Sequence, residues 1–158
     1  MIEVVLVCHE DLGENFLKVA EFLLKNREHC QAVAIREGDH PDEHLRLVEK
    51  AVKSASANGN PVLVLTDLFG GTACNVSIPY LSKDKVEVLS GVNLAMLIRA
   101  LQWRRQKPGI SLVDLANECA KYATAGIRVG STMVTLFDEP KEREEQKPRK
   151  GRKNAPGA

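Results

Sequence analysis

The sequence predicts an α/β fold: a doubly wound, mostly parallel sheet with helices on both faces. Strand-like runs alternate with helix-like segments along most of the chain, the order that builds parallel sheets. The runs Ile2 to Cys8 and Val62 to Thr66 are apolar almost without alternation, as expected of strands covered on both faces. Glycine and proline clusters punctuate the chain between the runs.

Ile2 to Cys8 is the first strand. Leu12, Phe16, Val19, Ala20, Leu23 and Leu24 then share one face at helical spacing, which predicts a helix over 12–25. Gln31 to Ile35 is a short second strand. Pro41 suits the first turn of a helix over 41–57, whose apolar stripe is Leu45, Val48, Ala51 and Val52. Asn58-Gly59-Asn60-Pro61 ends that helix and leads into the third strand, Val62 to Thr66. After Gly70-Gly71 a helix from Thr72 to about Leu81 is expected, followed by a fourth strand over Val86 to Leu89. Asn93 reads as the N-cap of a helix reaching Gln102. Lys107-Pro108-Gly109 breaks the chain, and Leu112 to Ala123 is the last helix, with Gly126 as its stop. Ile127 to Phe137, partly β-branched, reads as a C-terminal edge strand. Right-handed crossovers leave few topologies. The expected one is flavodoxin-like, strand order 2-1-3-4, with strands one and three adjacent at the switch point.

A chain of 158 residues accommodates one domain, placed at 1–137. Residues 138–158 carry seven bases and five acids and no aliphatic larger than alanine. They are predicted to be a disordered charged tail. The whole chain has 22 Lys plus Arg against 21 Asp plus Glu, a net charge of +1. That balance, with only 4% aromatic residues, argues against a nucleic-acid partner. Cys8, Cys30, Cys74 and Cys119 are dispersed without a CxxC pair, so they are read as reduced thiols. No basic n-region opens the chain, and no apolar stretch approaches the roughly 18 residues of a membrane helix. A cytoplasmic location without membrane insertion is expected. His40 and His44 stand at i, i+4 with no third ligand evident, so neither metal nor other cofactor is expected. His29 reads as packing or surface, and Trp103-Arg104-Arg105 as a cationic helix end.

Doubly wound sheets bind ligands beyond the C-terminal ends of their strands, at the switch point. His9 and Asp67 stand at those ends of strands one and three. A carboxylate that accepts from one ring N–H fixes the imidazole tautomer and leaves the other nitrogen with a free lone pair. Gly70, Gly71 and Thr72 follow at once, opening a helix where backbone N–H groups and a hydroxyl can meet an anion. These parts suffice for a phosphohistidine site, because phosphoryl transfer needs mainly positioning and charge stabilisation. By residue types alone, that reading stands level with a generic small-ligand pocket.

VLVCHE at the start, VLVLTDLFGGTACNVSI at 62–78 and VLSGVNLAMLIRAL at 88–101 are specific segments. They resemble the mannose-family IIA (EIIA) domain of the bacterial phosphoenolpyruvate:sugar phosphotransferase system (PTS), over roughly 1–137. The resemblance implies a phosphotransferase component, a phosphocarrier. His9 would accept phosphate from phospho-HPr and pass it to a IIB component for sugar uptake. Asp67 would orient His9, and Thr72 would contact the phosphoryl group. The resemblance also implies a homodimer that exchanges an edge strand. The chain departs from the family at Glu10, where a glycine usually follows the histidine, and at Ala73, where a proline usually follows the hydroxyl residue. A carboxylate beside a phosphoryl dianion is repulsive. With no fused IIB domain in these residues, the acceptor is expected to be another protein. A regulator remains the alternative, in which the phosphorylation state of His9 controls binding to a protein target without sugar transport. The IIA-like domain of dihydroxyacetone kinase systems matches TDLFGGT less well.

Overall fold

The unbroken apolar run at the start of the chain becomes the strand that every other part packs around. In a computed structural model, which describes residues 1–137, β1 (Glu3–His9) lies between β2 (Cys30–Ile35) and β3 (Val62–Thr66), and β4 (Val86–Ser90) extends the sheet beyond β3. The order is β2-β1-β3-β4 and every pairing is parallel. The flavodoxin-like expectation therefore holds for the sheet.

Successive strand residues face opposite ways, and here both ways are covered. Val4, Leu6 and Cys8 with Leu63 and Leu65 meet α1 (Leu12–Leu24), α4 (Leu94–Gln106) and α5 (Leu112–Ala125) in one core. Val5, Val7, Val62 and Val64 meet α2 (Pro41–Ala55) and α3 (Thr72–Ser77) in the other. Two buried faces leave no solvent side to alternate with, hence the continuous Val4–Cys8 run. Gly13 lets α1 approach the sheet: a Cβ there would lie 3.3 Å from the Cβ atoms of Leu6 and Ala32.

The helix signals fall where the sequence puts them. Pro41 opens α2, and the His40 side chain caps it by accepting from the Asp42 N–H. Asn93 Oδ1 accepts from the Met96 N–H at 2.9 Å and caps α4. Gly126 stands at the C-cap of α5. Three elements differ from expectation. α3 ends at Ser77 and a 3₁₀ turn, Ile78–Tyr80, takes over, because Pro79 has no N–H to donate to the carbonyl four residues back. α4 runs to Gln106, past the expected Gln102. The expected C-terminal edge strand is not formed: Gly130–Phe137 is a helix, α6. A helix satisfies its backbone groups within the segment, whereas a strand needs a free neighbouring edge, and β propensity alone is a weak determinant.

Met1–Ile127 is one compact unit, and the described part of the second, Arg128–Phe137, contains α6. The charged tail expected at 138–158 lies outside the described residues. Among the described residues no helix is long and apolar enough to cross a membrane.

At the N-terminal edge of the sheet, Arg104 is not a surface cation. It is 4% exposed and donates to the carbonyls of Ile2 at 2.9 Å, His29 at 2.8 Å and Glu28 at 2.5 Å. His29 pairs with Glu3 at 2.7 Å.

Candidate functional site

The register brings the site together at the opposite, C-terminal edge. Val7 pairs with Thr66, and His9 pairs with Ile35. His9 thus projects from the top of β1, between the ends of β2 and β3, and Asp67 follows the last residue of β3 directly. The Asp67 carboxylate then serves three donors. Oδ2 accepts from the His9 backbone N–H at 2.7 Å and stands 2.9 Å from His9 Nδ1. Oδ1 accepts from the Leu68 N–H at 2.8 Å. A carboxylate can only accept, so Nδ1 carries the proton and Nε2 keeps the lone pair.

Partial burial pushes the Asp67 carboxyl up. The hydrogen bonds from the His9 backbone and ring, the His9 charge and the Leu68 N–H outweigh it and hold the group below its ordinary value. Asp67 therefore stays ionised at neutral pH. Its side chain is 11% exposed against 45% for His9, so the orienter is sheltered and the imidazole is open. Cys8, just before His9, is no competing nucleophile. Burial, with the Asp67 charge adding, pushes its thiol up to about 12, and the thiolate is the reactive form.

The glycines have separate jobs. Gly70 adopts φ +76, in the left-handed region that glycine tolerates. Gly71 provides space: a Cβ there would lie 3.3 Å from His9 Cε1 and 3.3 Å from the Leu68 carbonyl oxygen. Its N–H is already used, donating to Leu68 O at 3.1 Å. Asn75 Nδ2 donates to Gly70 O at 3.0 Å and ties the loop to α3. The N–H groups of Thr72, Ala73 and Cys74 open α3, where no intrahelical carbonyl reaches them. Gly71→Ala keeps a permitted backbone, φ −73, but must shift the imidazole by a few tenths of an ångström. The expected result is a folded protein with an unchanged far-UV circular dichroism spectrum and a displaced His9 ring, read as a shift of its Cε1 proton by NMR.

His9 shares a crevice with Glu10, Arg36, Asp39 and His44 from the β2 side and with Thr72 from the start of α3. His40 and His44 do not act as a pair. His40 caps α2, while His44 is buried with Nε2 3.7 Å from Asp39 Oδ2. Among the described residues no group of three or more His, Cys, Asp or Glu is placed to hold a metal ion. Two features escaped sequence reasoning. Leu68 is 62% and Phe69 84% exposed beside the histidine, although apolar residues in a glycine-flanked loop are a legible sign of a contact surface. Glu10 and Arg36 are joined across 26 positions, a contact that no local pattern announces.

Comparison with known proteins meets this geometry. The model of the family EIIA-man, described as the PTS system fructose IIA component, matches residues 3–117. The chain belongs to the EIIA-man family. It is similar to the PTS system mannose-specific EIIAB component of Escherichia coli, 31% identical over 133 residues, covering 80% of this chain and 40% of that relative. The chain thus spans well under half the length of that relative. It is 25% identical to the PTS system fructose-specific EIIA component of Bacillus subtilis over 83% of this chain and 88% of the relative. Among solved structures, the phosphotransferase system component EIIA from Streptococcus agalactiae superposes with a TM-score of 0.70 at 30% identity, over 84% of this chain and 99% of the other. The EIIA-man match covers both β1, with His9, and β3, with the Asp67 loop behind it.

Proposed function

We propose that this EIIA-type chain is a cytoplasmic phosphocarrier of the PTS, accepting phosphate on Nε2 of His9. The observation that carries the reading is the 2.9 Å contact between His9 Nδ1 and the ionised Asp67, which leaves the Nε2 lone pair as the nucleophile. In the proposed step, that lone pair attacks the phosphorus of phospho-HPr. The N–P bond to His9 forms as the bond to the donor breaks, and the donor regains its lone pair. The ring, with a proton on Nδ1 and phosphorus on Nε2, is then cationic, and Asp67 offsets that charge. Thr72, with the free N–H groups at the start of α3, receives the phosphoryl oxygens beside Gly70 and Gly71. Passing the group to a IIB component reverses the sequence. Exposed Leu68 and Phe69 support docking of a protein donor and acceptor, for aromatic residues anchor such interfaces.

The test is incubation with phosphoenolpyruvate, Enzyme I and HPr, followed by intact mass. A gain of one acid-labile phosphoryl group, lost again on adding a IIB protein, is expected. An unchanged mass with active Enzyme I and HPr overturns the reading.

The chain is further proposed to act as a homodimer through residues 127–137. Ile127 is 74% and Val129 66% exposed, apolar surface that a second copy would cover. A chain ending at Phe137 is expected to remain dimeric by light scattering, and one ending at Gly126 to be monomeric or aggregated. A full-length protein monomeric at micromolar concentration refutes this.

A further inference from the structure

The residue after His9 is held in an uncommon state. Glu10 has φ +48, a left-handed conformation that side chains with a Cβ rarely adopt. Its backbone N–H donates to Ile35 O at 3.0 Å, which stitches the turn to β2. Both of its carboxylate oxygens are then taken. Arg36 Nη1 donates to Oε2 at 3.0 Å, and the Glu37 backbone N–H donates to Oε1 at 3.1 Å. The second arm of the same guanidinium donates to Asp11 Oδ1 at 2.7 Å. Asp11 occupies the N-cap position of α1, yet its side chain caps nothing. A strained turn and a missing cap both serve one arrangement, in which Arg36 grips the two carboxylates that follow the histidine.

That arrangement has a direction. Arg36 and Glu37 follow the last residue of β2, so the Glu10 carboxylate is drawn to the β2 side of β1. Glu10 and Arg36 nevertheless line the same crevice as His9 and Thr72. We propose that Arg36 is a positioning residue for phosphoryl transfer: it holds and offsets the Glu10 carboxylate at the end of β2, so that this negative charge is not free to turn toward Nε2 of His9. The inference rests on His9 being the acceptor. Without the guanidinium, the carboxylate one residue from the nucleophile is free to face an incoming phosphoryl dianion and to repel it.

The test is a double-mutant cycle with two phosphoryl donors. Arg36→Gln, Glu10→Gly and the double variant are phosphorylated by phospho-HPr and, separately, by phosphoramidate, a small donor that needs no docking. Arg36→Gln is expected to slow both reactions by about fivefold in the presence of Glu10, a surface-charge effect that salt diminishes. In the Glu10→Gly background the same substitution is expected to change neither rate by more than about 1.5-fold, since additivity fails only for coupled residues. Equal losses in both backgrounds, or no loss in either, overturn the proposal; a loss confined to phospho-HPr assigns Arg36 to docking and also overturns it. The NMR shift of the His9 Cε1 proton gives a readout independent of phosphorylation. It is expected to move on Arg36→Gln with Glu10 present and to stay put in Glu10→Gly. Failure of the wild-type chain to take phosphate from phospho-HPr would count against the phosphocarrier reading, while this shift still decides the role of Arg36.

Discussion

His9→Ala is expected to abolish phosphorylation by phospho-HPr, while His29→Ala, His40→Ala and His44→Ala retain it. The chain has four histidines, and their surroundings separate them. His29 is engaged with Glu3 at the far edge of the sheet. His40 uses Nδ1 to cap α2. His44 is buried, 6% exposed, out of reach of a protein donor. His29 has an open ring and a carboxylate behind it as His9 does, but His9 alone stands beside Gly71 and Thr72, at the edge of the sheet where α3 begins. Losing the nucleophile removes the covalent step, so the expected loss is total within the sensitivity of mass measurement. A His9→Ala chain that still gains acid-labile phosphate would sink the assignment.

Asp67→Asn is expected to slow transfer by ~10²-fold or more with the fold retained, in line with orienting carboxylates elsewhere. An amide cannot accept at both of its ends. If its NH₂ group faces Leu68, the hydrogen bond to the Leu68 N–H is lost and no charge remains to offset a phosphorylated imidazole. If it faces His9, it donates to Nδ1 and forces the ring proton onto Nε2, the atom that must attack. Either orientation slows the step. The carboxyl also ties stability to pH. Its folded pKa is depressed below the ordinary value, so its contribution is full above the unfolded value of about 3.9 and is lost as pH falls through the lower folded value. The melting-temperature gap between wild type and Asp67→Asn should therefore be wider at pH 7 than at pH 3. Unchanged transfer rates together with a native circular dichroism spectrum would reduce Asp67 to a turn cap.

The parts of the fold written locally were legible in the sequence. Val4–Cys8 and Val62–Thr66 declare doubly buried strands because both of their faces are covered. Pro41 and Asn93 mark helix starts because both signals involve only neighbouring residues. The juxtaposition of His9 and Asp67 was also legible, because the handedness of crossovers leaves few ways to order the strands. What was not legible depends on partners far away in the chain. Arg104 looks like a surface cation until three carbonyls from other segments surround it. Arg36 looks like any other strand-end cation until the turn after β1 brings Glu10 and Asp11 to it. Met133 to Phe137 has strand-like composition, yet forms helix, because composition does not say whether a sheet edge is free.

The central strand precedes the other three strands of its sheet in the chain, and this sets the order of events on the ribosome. β1 can pair with β2 early, but its other edge stays open until β3 has emerged. The His9–Asp67 contact closes a loop of 58 residues, which at bacterial elongation rates of up to ~20 residues per second takes roughly 3 seconds or more to translate. During that interval the nascent chain exposes an apolar strand edge of the kind that invites aggregation, and His9 lacks the carboxylate that fixes its ring. Slowing translation between the codons for β1 and β3 should therefore increase misassembly more than slowing it after Ser90, where all four strands have been made.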